Sequence, residues 1–208
     1  MIWQSRNFEQ GEQIVIAGDP AEGNDFCAFI AVSKKYADVV MAGKTKSESP
    51  QLGYELNHIG LYVKKLTGSH PTIAVERNVG SATIHVLKQL NYPALFRMPD
   101  SFTKQQSQAT DQYGWITSSA TRPKMLDDLA LAIRQRVIKI TLKPVIDELF
   151  TFIRDVKTGK PQAEVGTHDD LVMSLAIAWQ LYQIVPGQQV AYSRINDPIT
   201  RKNWRIGT

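Results

Sequence analysis

The sequence predicts an α/β domain in which helices cover a mixed β-sheet. Three apolar runs near the N-terminus, residues 12–20, 26–35 and 36–47, follow one another through short turns and are typical of an antiparallel meander. Strand and helix patterns then alternate before a mainly helical C-terminal part. The chain has 208 residues, of which 43% are hydrophobic, so it is long enough to bury one sizeable core.

The first predicted helix begins at Ser49-Pro50, with Ser49 as the N-cap and Pro50 as the first helical residue. An apolar stripe at helical spacing follows, made of Leu52, Leu56, Ile59, Val63 and Leu66. Gly68 is predicted to end this helix. The pattern then predicts a strand over residues 71–78 and a helix over residues 81–90.

The second half of the chain is predicted to be mainly helical. Residues 92–99 predict a fifth strand, whereas the polar residues 100–121 predict a loop in which only "YGWIT" is a candidate for strand pairing. An amphipathic helix is predicted over residues 122–138. Residues 143–155 fit either a helix or a strand, and "VKTGKPQAEVGT" predicts a turn and loop before a last helix that begins near Asp169.

Composition limits the classes of protein to which the chain can belong. Cys27 is the one cysteine, which excludes a disulfide within a monomer and a cysteine metal cluster. No apolar run is long enough to span a bilayer, and the first residues lack the apolar region of a signal peptide, so we expect an intracellular setting. A formal net charge of +4 suits a polyanionic partner.

A change in composition divides the chain into a folded domain, residues 1–185, and a basic tail, residues 186–208. The tail opens with "PGQQ" and shows no periodicity. Its charged residues are Arg194, Arg201, Lys202 and Arg205 against Asp197, so it supplies most of the net charge. We expect it to be a flexible or partner-bound extension.

Four acidic residues stand where the chain leaves or enters buried elements. Asp19 and Glu76 end predicted strands, and Asp169 and Asp170 open the last helix. Sites in open α/β sheets form at the carboxyl ends of strands, and a carboxylate beside apolar segments is costly unless it is paired or binds a metal. An all-oxygen cluster suits Mg²⁺ or Mn²⁺. Two such ions about 3.5–4 Å apart can activate water and stabilise the leaving oxygen in phosphodiester cleavage.

Each acid also has a purely structural interpretation, which the sequence leaves open. Asp19 fits an Asp-Pro turn, and Glu76 fits an exposed strand end. Asp170 fits a capping box with Thr167, and acids are favoured in the first turn of a helix. If Thr167 caps the helix, Asp169 is left to meet the metal. If the helix begins later, Asp170 points into the cluster.

Other polar residues are candidates for structural roles or for contacts with DNA. Five basic side chains in or near loops are candidates for contacts with DNA phosphates: Lys104, Arg122, Lys124, Lys157 and Lys160. Asp25 fits either a hairpin cap, which is favoured, or an acid that supports the metal ligands. His168 either relays protons, touches phosphate or is an exposed loop residue. Asp127 and Asp128 are expected on the solvated face of their helix.

Three segments of the sequence resemble the acidic motifs of one known family. In order, "IVIAGDPAEGNDFCAFIAV", "IAVERN" and "THDDLVMSLAIAW" resemble motifs of the nuclease domain of the phage terminase large subunit, over about residues 12–185. The resemblance implies a ribonuclease-H-like fold and an endonuclease that cuts concatemeric viral DNA with two divalent ions, Mg²⁺ or Mn²⁺. Its catalytic residues and metal ligands would be Asp19, Glu76 and one or both of Asp169 and Asp170.

The same resemblance implies partners and a location. The substrate would be double-stranded DNA, and the whole protein would work with a packaging ATPase domain, a portal and a small terminase subunit in the cytoplasm of the infected host cell. About a dozen residues precede the first predicted core strand. We therefore expect the ATPase domain to lie outside this chain.

Three other classes of protein fit parts of the sequence. A junction resolvase or transposase has the same fold, and a resolvase would be expected to act as a compact dimer on branched DNA. An actin-like ATP-binding domain has a first phosphate loop similar to "GDPAEGND", but it needs a second such loop, which the sequence lacks. A non-catalytic DNA- or portal-binding module is disfavoured, because four acids repel phosphate unless a metal neutralises them.

A short segment, "AGKT" at residues 42–45, resembles the end of a P-loop. It lies inside a predicted strand instead of between a strand and a helix, and Asp38 occupies the place of the first glycine. The sequence therefore predicts no nucleotide-binding P-loop.

Overall fold

A five-stranded mixed sheet forms the centre of the protein, with the strand order β1-β4-β3-β2-β5. The computed structural model describes residues 1–21, 26–98, 113–155 and 159–187. The strands of the sheet are β1 (Ile2–Gln4), β2 (Ile14–Asp19), β3 (Cys27–Ser33), β4 (Val39–Thr45) and β5 (Thr72–Val75). Only β2 and β5 run parallel, and the other neighbours pair antiparallel. The predicted α/β class, the mixed sheet and the N-terminal meander are confirmed.

Helices cover both faces of this sheet. One face carries α1 (Ser49–Thr67) and α2 (Ser81–Gln89), which pack against Ile14 and Ile16 of β2. The other face carries α3 (Thr121–Arg134), α4 (Lys143–Thr151) and α5 (Asp170–Ile184), whose core includes Val15 and Ala17. The alternation of side chains along β2 thus divides the apolar residues between two cores. A small hairpin, β6 (Phe152–Arg154) with β7 (Pro161–Ala163), lies outside the main sheet.

Helix α5 is the most deeply buried helix of the described structure. Every residue from Leu171 to Tyr182 is buried, which explains why this helix is apolar all round and not amphipathic. Its C-terminal end is satisfied by Lys34, a buried side chain whose Nζ donates to the carbonyl oxygens of Tyr182, at 2.7 Å, and of Val185. Burial lowers the pKa of Lys34. No helix in the described ranges has the length and hydropathy that a bilayer span requires.

Several element predictions differ from the structure. Ser49 is the first helical residue and Glu48 is the N-cap, while Gly68 ends α1 in the left-handed region with φ 89°, as predicted. Residues 92–98 make isolated bridges and no strand. Leu95 bridges only Ile73 of β5, and Arg97 bridges the segment at Tyr113 and Gly114, so no continuous ladder forms with either neighbour. Residues 143–155 contain both alternatives, a helix that leads into β6.

Two short strands were not predicted. Strand β1 lies in the polar N-terminus and pairs along β4, and β7 lies within the predicted loop before α5. The "YGWIT" segment does pair, since Trp115 bridges Glu76 and Tyr113 bridges Arg97. The predicted tail, apart from residues 186 and 187, falls outside the described residues, so the domain boundary at 185 stays a prediction.

The turn between β5 and α2 requires a glycine at position 80. A Cβ atom there would lie 2.1 Å from the Glu76 carbonyl oxygen and 2.6 Å from Val75 Cγ1. We expect Gly80→Ala to lower the free energy of unfolding by roughly 1–3 kcal/mol, because the backbone must move to admit a methyl group. Urea unfolding measures this loss, and the exposed neighbour Ser81 provides a control, Ser81→Ala, which should change stability far less. Equal stability of Gly80→Ala and wild type would contradict the expectation.

Candidate metal centre

A row of residues in register crosses the carboxyl end of the sheet. Asp19 of β2 pairs with Ala28 of β3, and Ala28 pairs with Lys44 of β4. On the other side of β2, the Glu76 N–H donates to Gly18 O at 2.9 Å and extends the parallel ladder beyond β5. Paired residues on neighbouring strands project to the same face. Asp19, Glu76 and Lys44 therefore face α5, as the buried alanines two residues before them do.

The N-terminus of α5 brings the other two acids to this row. Asp169 is the N-cap residue and Asp170 the first residue of the helix. The predicted capping box does not form, because the Thr167 hydroxyl donates to Glu164 O at 2.7 Å instead of capping the helix. The cap comes from α4, where Glu148 Oε2 accepts the Leu171 N–H at 2.8 Å. Both aspartates are therefore available to the cluster.

The acids raise the pKa of Asp19 well above its ordinary value of 3.8. Burial is the largest cause, followed by the charge of Glu76 and a hydrogen bond with it, and then by the charges of Asp170 and Asp169. A carboxyl group in this position binds a proton readily, and a divalent cation would replace that proton. The four predicted site residues thus influence one another in the folded chain.

Two basic side chains balance part of this negative charge. Lys44 Nζ lies 2.6 Å from Glu148 Oε1 and 2.8 Å from Asp170 Oδ2, and Arg122 Nη2 lies 3.4 Å from Asp169 Oδ2. Burial opposes the charge of Lys44, but the contacts with Asp170 and Glu148 outweigh it and raise its pKa. Burial is also the main reason why the pKa of Glu148 is raised. Lys44 and Glu148 belong to the site, although neither was predicted as a site residue.

The donor set fits a hard divalent cation, although the acids do not form a closed cage. All four predicted ligands are carboxylates, the type that Mg²⁺ and Mn²⁺ prefer. Asp170 Oδ2 is buried and makes no hydrogen bond of good geometry within the described ranges, despite the nearby ammonium group. In the same ranges, no three Asp, Glu, His or Cys side chains stand in a preformed ligand arrangement. Mutual repulsion and the pairing of two acids with Lys44 and Arg122 account for this open arrangement.

The predicted DNA-contacting residues lie in different surroundings. Arg122 reaches the acid cluster and also donates to Met173 Sδ at 3.1 Å. Lys124 is exposed and pairs with Asp128 at 2.6 Å, and Lys160 is exposed. Lys104 and Lys157, together with Asp25, lie outside the described residues. His168 is half exposed, with Nδ1 3.8 Å from Asp170 Oδ2 and its ring edge-on to Phe26.

A second basic group was missed because its members are far apart in sequence. Lys88 Nζ and the Arg97 guanidinium lie 5.3 and 5.2 Å from the centre of the Tyr113 ring. The same ring lines a depression of about 210 Å³ that Arg77 and His85 also line. Arg77 is anchored beside the acid row, since its N–H donates to Trp115 O at 2.7 Å. We call these four basic residues around Tyr113 the basic surface.

An apolar groove lies apart from the acids. It has a volume of about 640 Å³ between α3, α4 and the β6–β7 hairpin, and Phe150 and Ile153 line it. None of the four predicted site acids lines this groove. The chemistry of the site is therefore at the sheet edge and not in this larger cavity.

Solved structures with the same architecture are terminase nuclease domains. The magnesium-bound large terminase nuclease of thermophilic phage G20c has a TM-score of 0.66 and 18% identity, covering 86% of this chain and 86% of that one. The large terminase nuclease domain of Thermus phage P74-26 has a TM-score of 0.64 and 18% identity, covering 90% and 89%. The chain has the fold of the large terminase nucleases. The ribonuclease-H-like fold prediction is thus confirmed.

The similarity extends beyond phages. The human cytomegalovirus terminase nuclease domain, soaked with manganese and bound to an inhibitor, has a TM-score of 0.58 and 14% identity, covering 82% of this chain and 83% of that one. No family model and no curated protein matches the sequence. Because the fold is shared at such low sequence identity, the site of this chain has to be inferred from its own residues.

The raised pKa of Asp19 predicts how the stability of the metal-free protein depends on pH. A group with a raised folded-state pKa contributes stability that is complete below the unfolded pKa and is lost as pH rises through the folded pKa. Without metal, we expect the melting temperature of wild type to fall relative to that of Asp19→Asn as pH rises from about 4 to about 8. Asp19→Asn should melt higher than wild type at the upper end of this range.

Thermal melting in a chelator across this pH range tests the prediction. Asp147→Asn is the matched control, because Asp147 is an exposed acid that pairs only with its helical neighbour Lys143 among the contacts described. Asp147→Asn should follow the wild-type curve. An Asp19→Asn curve that also follows wild type would show that Asp19 carries no such repulsion.

Proposed function

We propose that the chain is a metal-dependent endodeoxyribonuclease that cuts concatemeric viral DNA during genome packaging. The observation that carries this proposal is the meeting of Asp19, Glu76 and the Asp169–Asp170 pair at one edge of the sheet. Their fold is shared with large terminase nucleases, some of them solved with bound magnesium, cobalt or zinc. An acid cluster in that fold favours metal-assisted hydrolysis of a phosphodiester bond.

The acids have distinct roles in this proposal. Asp19 and Glu76 are metal ligands fixed by the sheet, and Asp170 and Asp169 are ligands delivered by α5. Two bound ions, Mg²⁺ or Mn²⁺, would supply an activated water and stabilise the leaving oxygen. Asp170 is the better placed of the two helix acids, because its Oδ2 is buried and lacks a well-aligned hydrogen bond. Asp169, paired with Arg122, is a ligand or orients one.

Basic side chains around the site would hold the DNA backbone. Arg122 lies at the acid cluster, Lys124 and Lys160 are exposed, and Lys104 and Lys157 are further candidates from the sequence. Such contacts bind phosphates and carry no sequence information, so binding should depend steeply on salt and cleavage should show little sequence preference. The basic surface around Tyr113 lies on the α2 side of the same sheet edge and would add positive charge there.

The proposed partners follow from this function. The DNA is double-stranded, and the nuclease would act with a packaging ATPase domain, a portal and a small terminase subunit. The proposed setting is the cytoplasm of the infected host cell. A ribonuclease-H-like junction resolvase or transposase is the alternative, and a resolvase would prefer branched DNA, which a comparison of linear and branched substrates decides.

Loss of one ligand charge should abolish cleavage without unfolding the chain. We expect Asp19→Asn and Asp170→Asn to lose plasmid nicking in Mn²⁺ by at least about a hundredfold, and Asp169→Asn to be impaired less completely. The melting temperatures of the Asp169 and Asp170 variants should change little, because Glu148 caps α5 and neither aspartate side chain does. Nicking and melting of each variant, with and without Mn²⁺, check this, with Asp147→Asn as an active control.

Two results would contradict the proposed function. Full activity of purified Asp19→Asn would remove Asp19 from the metal centre. Active variants at positions 169 and 170 that are merely less stable would mean that these acids serve the helix only, where a lost cap costs roughly 1 kcal/mol.

Removal of positive charge from the basic surface should weaken DNA binding. We expect Arg77→Ala and Arg97→Ala each to lower affinity for all sequences alike and to reduce the salt slope by about 1 for each lost phosphate contact. Binding of a labelled duplex at several salt concentrations measures both effects. Lys143→Ala, which removes an exposed lysine on α4, is the control. An unchanged slope in both arginine variants would exclude this surface from the DNA path.

A further inference from the structure

Glu148 connects three elements of the site. It lies in the second half of α4, and its side chain is only 12% exposed. Oε1 accepts a hydrogen bond from Lys44 Nζ of β4 at 2.6 Å, and Oε2 accepts the Leu171 N–H of α5 at 2.8 Å. A single carboxylate therefore fixes a strand-end lysine and a helix N-terminus relative to each other.

Lys44 is shared between two carboxylates that have different tasks. Its ammonium group is 2.6 Å from Glu148 Oε1 and 2.8 Å from Asp170 Oδ2. The bond to Glu148 meets hydrogen-bond geometry, whereas Asp170 Oδ2 has no aligned donor. Lys44 is therefore bound by Glu148 and lies beside Asp170, close enough to neutralise part of its charge.

The position of Lys44 matters to any cation at Asp170. An ammonium group is a compact charge on a flexible stem, and it takes up the position that the available carboxylates dictate. Without the charge of Glu148, Asp170 would be the main carboxylate partner left to Lys44 among its described contacts. The ammonium group would then oppose a second cation at the same oxygen.

We propose that Glu148 is a positioning residue that shares Lys44 with Asp170, so that the ammonium group is not committed to Asp170 alone and Asp170 stays available to a divalent cation. The inference rests on the proposed metal-dependent function and adds a residue that the family motifs do not contain. Glu148 acts through Lys44 and not as a metal ligand. Its second oxygen is already used by the Leu171 N–H, so Glu148 cannot turn into the cluster without leaving the N-terminus of α5 unsatisfied.

Isothermal titration of the full chain with Mn²⁺ tests this role directly. Glu148→Gln keeps the size and the acceptor for Leu171 but removes the charge that holds Lys44. We expect it to raise the Kd for Mn²⁺ about tenfold or more, as the loss of a partner that orients a ligand typically does. Lys44→Met should lower the Kd, because a competing cation is removed from Asp170.

A double-variant cycle separates a positioning role from direct ligation. If Glu148 acts through Lys44, Glu148→Gln should change the Kd less than about twofold in a Lys44→Met background. An undiminished effect in that background would make Glu148 a direct ligand and overturn the inference. A Glu148→Gln variant that lowers only the melting temperature, with an unchanged Kd, would also overturn it, since Glu148 would then be a helix cap alone.

The neighbouring ion pair on α4 supplies matched controls. Asp147 and Lys143 form an exposed pair at 2.6 Å, and Asp147→Asn and Lys143→Met should leave the Kd for Mn²⁺ unchanged. If Glu148→Gln fails to fold, Lys44→Met decides alone, and a Kd equal to that of wild type would overturn the inference. A wild-type chain that binds no Mn²⁺ would overturn the proposed function itself, whereas binding that is indifferent to Glu148 and Lys44 overturns only this inference.

Discussion

The cross-strand register of the sheet is the constraint on which the site depends. Asp19, Ala28 and Lys44 share one row because β2, β3 and β4 pair without a slip at this edge, and Glu76 joins the row through the parallel ladder. A shift of one residue in any of these pairings would turn the acid or the lysine to the α1 face. The buried residues before them, which fill two separate cores, fix that register.

Helix α5 completes the site by bringing Asp169 and Asp170 to the row of residues that the sheet register sets. Its apolar surface is buried on all sides, so its position over β2 and β3 is set by packing and not by the charges at its start. Lys34 satisfies its C-terminal carbonyls and Glu148 satisfies an N-terminal N–H. Because both ends are closed by other elements, neither the Asp169 nor the Asp170 side chain is needed to cap α5. The packing free energy of α5 thus offsets the electrostatic repulsion between the acids that it brings together.

The predictable part of the site consists of residues whose role follows from local position. Asp19 and Glu76 end apolar runs, and the two aspartates open one, so alternation and sequence order suffice to bring them to one edge. Lys44 gave no such signal, since within "AGKT" it resembles a P-loop residue. Its role in the site depends on contacts with acidic side chains of α4 and α5. Glu148 lies in an ordinary helix pattern and is connected to the site only by tertiary packing.

The same distinction explains the errors in secondary structure. The predicted capping box does not form because a capping motif in the sequence competes with any carboxylate that tertiary packing brings to the N-terminus of the helix. Here Glu148, held in place by Lys44, accepts the free N–H instead. Strands β1 and β7 have only three residues each, and they form because a neighbouring strand offers a free edge. Local pattern therefore decides which segments are buried, while partners across the fold decide which polar groups meet. In this chain that second step determines the charge around Asp170, and with it the chemistry of the centre.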